Sequence, residues 1–106
     1  MKTFTIWYMR PDWLLAGMTG SKPKAADLGQ THVQLKTVEL ADNASLDDVY
    51  FAMQGECWSP NGEARGLIAS KGLRHTSMSV GDVIVDDAGC AHLVASFGFE
   101  ALPEAA

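Results

Sequence analysis

Residues 3–9, TFTIWYM, alternate with a period of two, placing Phe4, Ile6 and Tyr8 on one side and Thr3, Thr5 and Trp7 on the other. Aromatic and β-branched residues at that period make a β-strand. Trp7 and Met9 make the second side apolar as well, so this strand must be covered on both faces. That requirement constrains everything after it, because the rest of the chain has to supply both covers. Pro11 ends the strand, and residues 11–17 (PDWLLAG) suit a short helix with proline at its first position. Residues 19–30, with two Gly, one Pro, two Lys and one Ser, read as a loop.

Residues 32–40, HVQLKTVEL, alternate in two phases: Val33 and Leu35, then Val38 and Leu40. A bulge near Lys36 and Thr37 keeps all four on one face, and two short strands are the other solution. Residues 45–54 form the clearest helix. Ser45 can cap it, Asp47 and Asp48 lie in its first turn, and Leu46, Val49, Tyr50 and Met53 make an apolar stripe. Gly55 is placed to end it. A second helix is expected over residues 60–71, capped by Ser59 or Asn61, with Ala64, Leu67 and Ile68 inward and Gly72-Leu73 as its stop.

Residues 74–80 alternate again, with Thr76, Met78 and Val80 on one side. Gly81-Asp82 turns into a strand over residues 83–85, residues 86–89 form a hairpin loop, and residues 91–100 return as one strand. Strands at the two ends and helices between them give an α+β fold. It is expected as a mainly antiparallel sheet of three to five strands with two or three short helices on it. The chain of 106 residues suits one domain, 1–106, with residues 101–106 fraying as a tail.

The formal charge is −5, from 13 acids and 8 bases, which argues against a DNA-backbone binder. The charges are arranged in blocks. Residues 37–58 hold five acids and no base, and residues 80–106 hold another five with no base. An acidic surface on Asp42, Asp47 and Asp48, continued by Asp82, Asp86 and Asp87, would attract a basic partner. Between the blocks, Arg65, Lys71, Arg74 and His75 form a weakly basic patch able to touch a few phosphates. Trp7, Tyr8, Trp13 and Trp58 could stack on bases, although such aromatics usually serve as core or interface anchors. No apolar run approaches the ~20 residues of a membrane span, and the start of the chain lacks the pattern of a secretory signal. A cytoplasmic protein with reduced Cys57 and Cys90 is the expectation; two cysteines are too few for a disulfide framework, though a single bridge stays open.

Catalytic chemistry has thin support. Cys90 with His92, or Ser77 with His75, would share a strand face, but neither pair comes with a third group or an oxyanion hole. Metal ligation by His32, Cys57, His75, Cys90 and His92 lacks both CxxC and HExxH spacing. The glycines make no phosphate loop. No catalytic residue, metal or cofactor is therefore expected.

Trp58–Arg65 (WSPNGEAR), His75–Ile84 (HTSMSVGDVI) and the opening MKTFTIWYMRPDW resemble the YodL-like family of small proteins carried by plasmids, integrative elements and phages. The resemblance implies mobile-element biology. Relatives of that kind occur alone and as modules of large polyvalent proteins, often beside anti-restriction domains. It assigns no catalytic residue. The expected function is a non-enzymatic accessory protein that binds a host or element protein, anti-restriction or anti-CRISPR action being its sharpest form. The contact surface is expected over the exposed part of residues 65–87. The alternative is a small nucleic-acid- or ligand-binding module for element maintenance, using the basic patch. No membrane partner is expected.

Overall fold

A computed structural model describes residues 1–10, 28–73, 75–95 and 98–102. Strands β1 (Lys2–Met9), β2 (His32–Leu40), β3 (Val83–Val85), β4 (Ala91–Val94) and β5 (Phe99–Ala101) form one sheet in the order β2-β1-β3-β4-β5. Every pairing is antiparallel. Helices α1 (Leu28–Thr31), α2 (Leu46–Ala52), α3 (Gly55–Trp58) and α4 (Arg65–Ser70) are short. The fold is thus α+β, with the N-terminal strand clamped between β2 and the C-terminal hairpin. Among the described residues, no helix is long and apolar enough to cross a membrane.

The two-faced alternation of β1 is realised. Phe4, Ile6 and Tyr8 enter the main core with Val49, Met53, Ile68, Met78 and Ile84. Trp7 packs on the other side, against a second cluster of Val83, Ala91, Leu93 and Leu102. Strand β2 solves its phase change with one irregularity. Ile6 pairs with Lys36 and Trp7 with Gln34, so Leu35 is the extra residue. Leu35 is buried, and Val33, Val38 and Leu40 all lean on the same core. The bulge sits one residue before the expected place and has the expected effect.

Helix α2 begins with a capping box: Ser45 Oγ accepts the Asp48 N–H, and the Asp48 carboxylate accepts the Ser45 N–H. Its stop differs from expectation, since Gly55 opens α3 instead of closing α2. Helix α4 is shorter than the expected 60–71, and Leu67 is exposed. Ser59 still serves its start, its Oγ accepting the Ala64 N–H at 2.8 Å. The end of α4 is a Schellman turn: the Leu73 N–H reaches Ile68 O and the Gly72 N–H reaches Ala69 O, both at 3.0 Å. Gly72 takes φ +71°, where a side chain would be strained, and Leu73 is buried behind it.

Four expectations are corrected. Residues 75–80 are not a strand, because their polar groups bond to the α2–α3 corner: Met78 N–H to Met53 O, and Ser77 Oγ from the Gly55 N–H. Residues 91–100 are not one strand either. Gly98, at φ +80°, turns the chain so that Ala95 N–H meets Gly98 O, and β5 folds back on β4. Residues 101 and 102 do not fray, since Ala101 pairs with His92 and the buried Leu102 donates its N–H to Ala91 O. The loop expected over residues 19–30 gives way at its end to α1. The helix expected over residues 11–17 lies outside the described residues.

Candidate functional site

Two aspartates bracket Ile84 in sequence at the two ends of β3, and each holds a histidine. At the first end Asp82 is fully buried. Its Oδ1 accepts the Met9 N–H at 2.9 Å, and its Oδ2 accepts the Ser79 N–H and lies 2.9 Å from His75 Nε2. A carboxylate only accepts, so Nε2 is the donor. The His75 ring stacks on Tyr8 with centroids 4.5 Å apart and planes 13° off parallel. Tyr8 in turn donates to Thr76 O at 2.6 Å. Burial first, and the Asp82 charge second, push the Tyr8 hydroxyl far above its usual range, so it remains a donor.

His32 completes this knot from β2. It is fully buried, with Nε2 2.7 Å from Gly81 O and Nδ1 2.6 Å from the Thr31 hydroxyl. A carbonyl can only accept, which puts the hydrogen on Nε2 and leaves Nδ1 to accept from Thr31. Burial holds the His32 pKa below the usual imidazole value, consistent with that neutral ring.

At the second end Asp86 organises the β3–β4 hairpin. Its Oδ1 accepts the N–H groups of Ala88 and Cys90, and its Oδ2 lies 2.9 Å from His92 Nε2. Burial alone would raise the Asp86 pKa, but the His92 contact and the two N–H groups outweigh it and hold the carboxyl below its usual range. This pair lies on a depression of about 220 Å³, with Lys2 and Phe4 of β1, residues 44–46 at the entry to α2, and Asp87 around it.

The depression matters because of what meets there. Ala44, Ser45 and Leu46, uncharged residues lying between Asp42 and Asp47, meet Asp86 and Asp87 there, with Lys2 beside them. Asp42, Asp47, Asp48 and Asp87 are all exposed, and Asp42 forms an ion pair with the N-terminal amine at 2.7 Å. Folding thus brings the segment between Asp42 and Asp47 beside Asp87, which the sequence separates from it by a basic stretch.

The expected contact residues therefore divide. Asp87, Asp42, Asp47 and Asp48 are on the surface, with Asp48 also closing the capping box. Asp86 is half-buried in its hairpin, and His75 is half-buried against Asp82. Asp82 is corrected outright: it is an internal anchor and can touch no partner, because all its hydrogen-bonding partners lie inside the fold. Arg65 is exposed at the start of α4 and Lys71 half-buried at its end, while Arg74 lies outside the described residues.

His75 Nε2 faces Asp82 while Ser77 Oγ takes the Gly55 N–H, and His92 Nε2 faces Asp86 while Cys90 is exposed; among the described residues no hydrogen bond joins His75 to Ser77 or His92 to Cys90. Both cysteines are free and exposed. Among the described residues, no three His, Cys, Asp or Glu side chains come together as a metal site. Sequence reasoning missed the Asp86–His92 pair, although a signal existed: across a hairpin that pairs Val85 with Ala91, these two are diagonal neighbours. No local signal linked His32 or Tyr8 to Asp82. Comparison with family models, with curated proteins and with solved structures finds no match to this chain.

Proposed function

We propose that this chain is a non-enzymatic accessory protein of a mobile element, working in the host cytoplasm by binding a basic protein partner through the acidic face formed by Asp42, Asp47, Asp48 and Asp87. The single observation that carries this reading is that Asp42, Asp47, Asp48 and Asp87 are all exposed while the segment between Asp42 and Asp47 lies beside Asp87 at one depression. Opposite charge across an interface speeds encounter and rejects wrong partners, including nucleic acid. The resemblance of Trp58–Arg65 and His75–Ile84 to the YodL-like family supplies the setting, with counter-defence as the sharpest form of the activity.

The test compares the wild type with an Asp42→Lys, Asp47→Lys, Asp87→Lys variant. Immobilised wild type should capture a basic bacterial protein at low salt, and the variant should not. Cells making the wild type should admit restricted phage DNA more efficiently than cells making the variant. Equal capture and equal phage entry would overturn the reading. A low-salt mobility shift of DNA or RNA that disappears on Arg65→Ala, Lys71→Ala substitution would instead favour the nucleic-acid module.

A further inference from the structure

The turn that leads into α4 carries the dipeptide Asn61-Gly62. Asn61 is exposed, and both of its donors hold one carboxylate: its backbone N–H lies 2.9 Å from Glu63 Oε2, and its Nδ2 lies 3.1 Å from Glu63 Oε1. The Gly62 N–H points elsewhere, donating to Ser59 O at 3.1 Å. Glycine is required at this position. It takes φ +83°, and an added Cβ would sit 2.8 Å from Arg65 Nε.

The same glycine makes the turn chemically vulnerable. A successor without a side chain leaves its nitrogen free to approach the asparagine Cγ, and asparagine is a thermally labile residue. The Gly62 nitrogen gives its proton to a solvent base, and its electron pair attacks Asn61 Cγ. The Cγ–Nδ2 bond breaks, its electron pair leaves with the nitrogen, and that nitrogen takes a proton from water and departs as ammonia. Water then opens the cyclic imide. Opening at Cγ gives aspartate, and opening at the main-chain carbonyl gives isoaspartate.

The folded turn opposes each step. Deprotonating Gly62 means breaking its bond to Ser59 O. The Glu63 carboxylate, one residue on, repels the anion that forms on that nitrogen. Its oxygens face the two Asn61 donors, and Nδ2 cannot swing Cγ over Gly62 without leaving Oε1. We infer that Asn61 is a latent modification site, converted to aspartate and isoaspartate when the turn over residues 59–63 opens, with Glu63 as the guard that holds the turn closed. The change reinforces itself. A carboxylate at position 61 meets Glu63 where Nδ2 did, and isoaspartate adds a methylene to the main chain just before α4. Either product loosens the turn in which Ser59 Oγ receives the Ala64 N–H.

The full chain is incubated at mildly alkaline pH, folded and in guanidinium chloride. One tryptic peptide, residues 37–65, carries both Asn43 and Asn61, and mass spectrometry localises the amide-to-acid mass gain and separates isoaspartate. In denaturant Asn61 should convert faster than Asn43, whose successor Ala44 has a side chain. Folded, Asn61 should convert at least about tenfold more slowly than in denaturant. Glu63→Ala should shrink that protection at least about threefold, because the turn loses two hydrogen bonds. Gly98→Ala, which strains the distant β4–β5 turn, should leave the protection unchanged and so separates the guard from a general loss of stability. Asn61 converting no faster than Asn43 in denaturant overturns the site. Equal rates folded and in denaturant, undiminished protection in Glu63→Ala, or equal loss of protection in Gly98→Ala overturns the guard.

Discussion

Replacing Asp82 by asparagine tests whether one buried carboxylate organises the turn before β3. Asp82 accepts three hydrogen bonds, from Met9 N–H, Ser79 N–H and His75 Nε2, all at 2.9 Å. Asparagine keeps the shape but exchanges one oxygen for a donor. Whichever way the amide turns, at least one N–H of β1 or of Ser79 then faces another donor in a buried site. Hydrogen bonds to a charged acceptor are worth about 1.5–3 kcal/mol and neutral ones about 1, while an orphaned buried N–H costs about 1–3 kcal/mol. The charge no longer has to be buried, which returns part of this. The expected net loss is about 3 kcal/mol, a large share of the roughly 5–15 kcal/mol that holds a domain together. In urea, with a slope of about 1.5 kcal/mol/M for a chain of this size, the midpoint should fall by about 2 M at unchanged slope. The thermal midpoint should fall by about 15 °C. Amide exchange at Met9 and Ser79 should speed up more than at the middle of β1. A midpoint shift below about 0.3 M, equivalent to roughly 0.5 kcal/mol, would show that the carboxylate does not organise the turn.

Other outcomes are equally open to measurement. His32 is held neutral, with its pKa lowered by burial, so its contribution to stability should be complete above the ordinary imidazole value and decline as pH falls through its lowered value. A series of urea midpoints between pH 8 and 4.5 should show that decline, and His32→Gln should flatten it. Ser45→Ala removes the side-chain half of the α2 capping box and should cost about 1 kcal/mol by denaturant melt. Gly98→Ala meets no neighbouring atom within 4 Å but must hold φ +80°, so a loss of about 1–2 kcal/mol in the same melt would come from backbone strain alone. A neutral result there would show that the β4–β5 turn relaxes.

Features that depend on neighbours along the chain were legible before folding. The alternation of Phe4, Ile6 and Tyr8, the Ser45–Asp48 cap, the Gly72-Leu73 stop and the hairpin at residues 86–89 all rest on contacts within a few residues. The phase slip in β2 belongs with them, since Val33, Leu35, Val38 and Leu40 can share a core only through an extra residue. The pattern misled where distant partners took over. Residues 75–80 alternate like a strand, yet Thr76 accepts from Tyr8 and from the Trp58 indole, and Ser77 from Gly55, so the segment bonds to side chains and a helix corner instead of a sheet edge.

The candidate site divides in the same way. The sequence by itself determined that the acids come in two blocks with no bases among them, because charge order is a property of the chain. Only the tertiary structure decided which acids matter as surface. It buried Asp82 under β1, seated Asp86 in its own hairpin, and brought residues 44–46 beside Asp87. The physical reason is that a carboxylate's role depends on how many donors reach it and whether water does. For Asp82 one of those donors, the Met9 N–H, lies 73 residues away along the chain, beyond the reach of any local pattern.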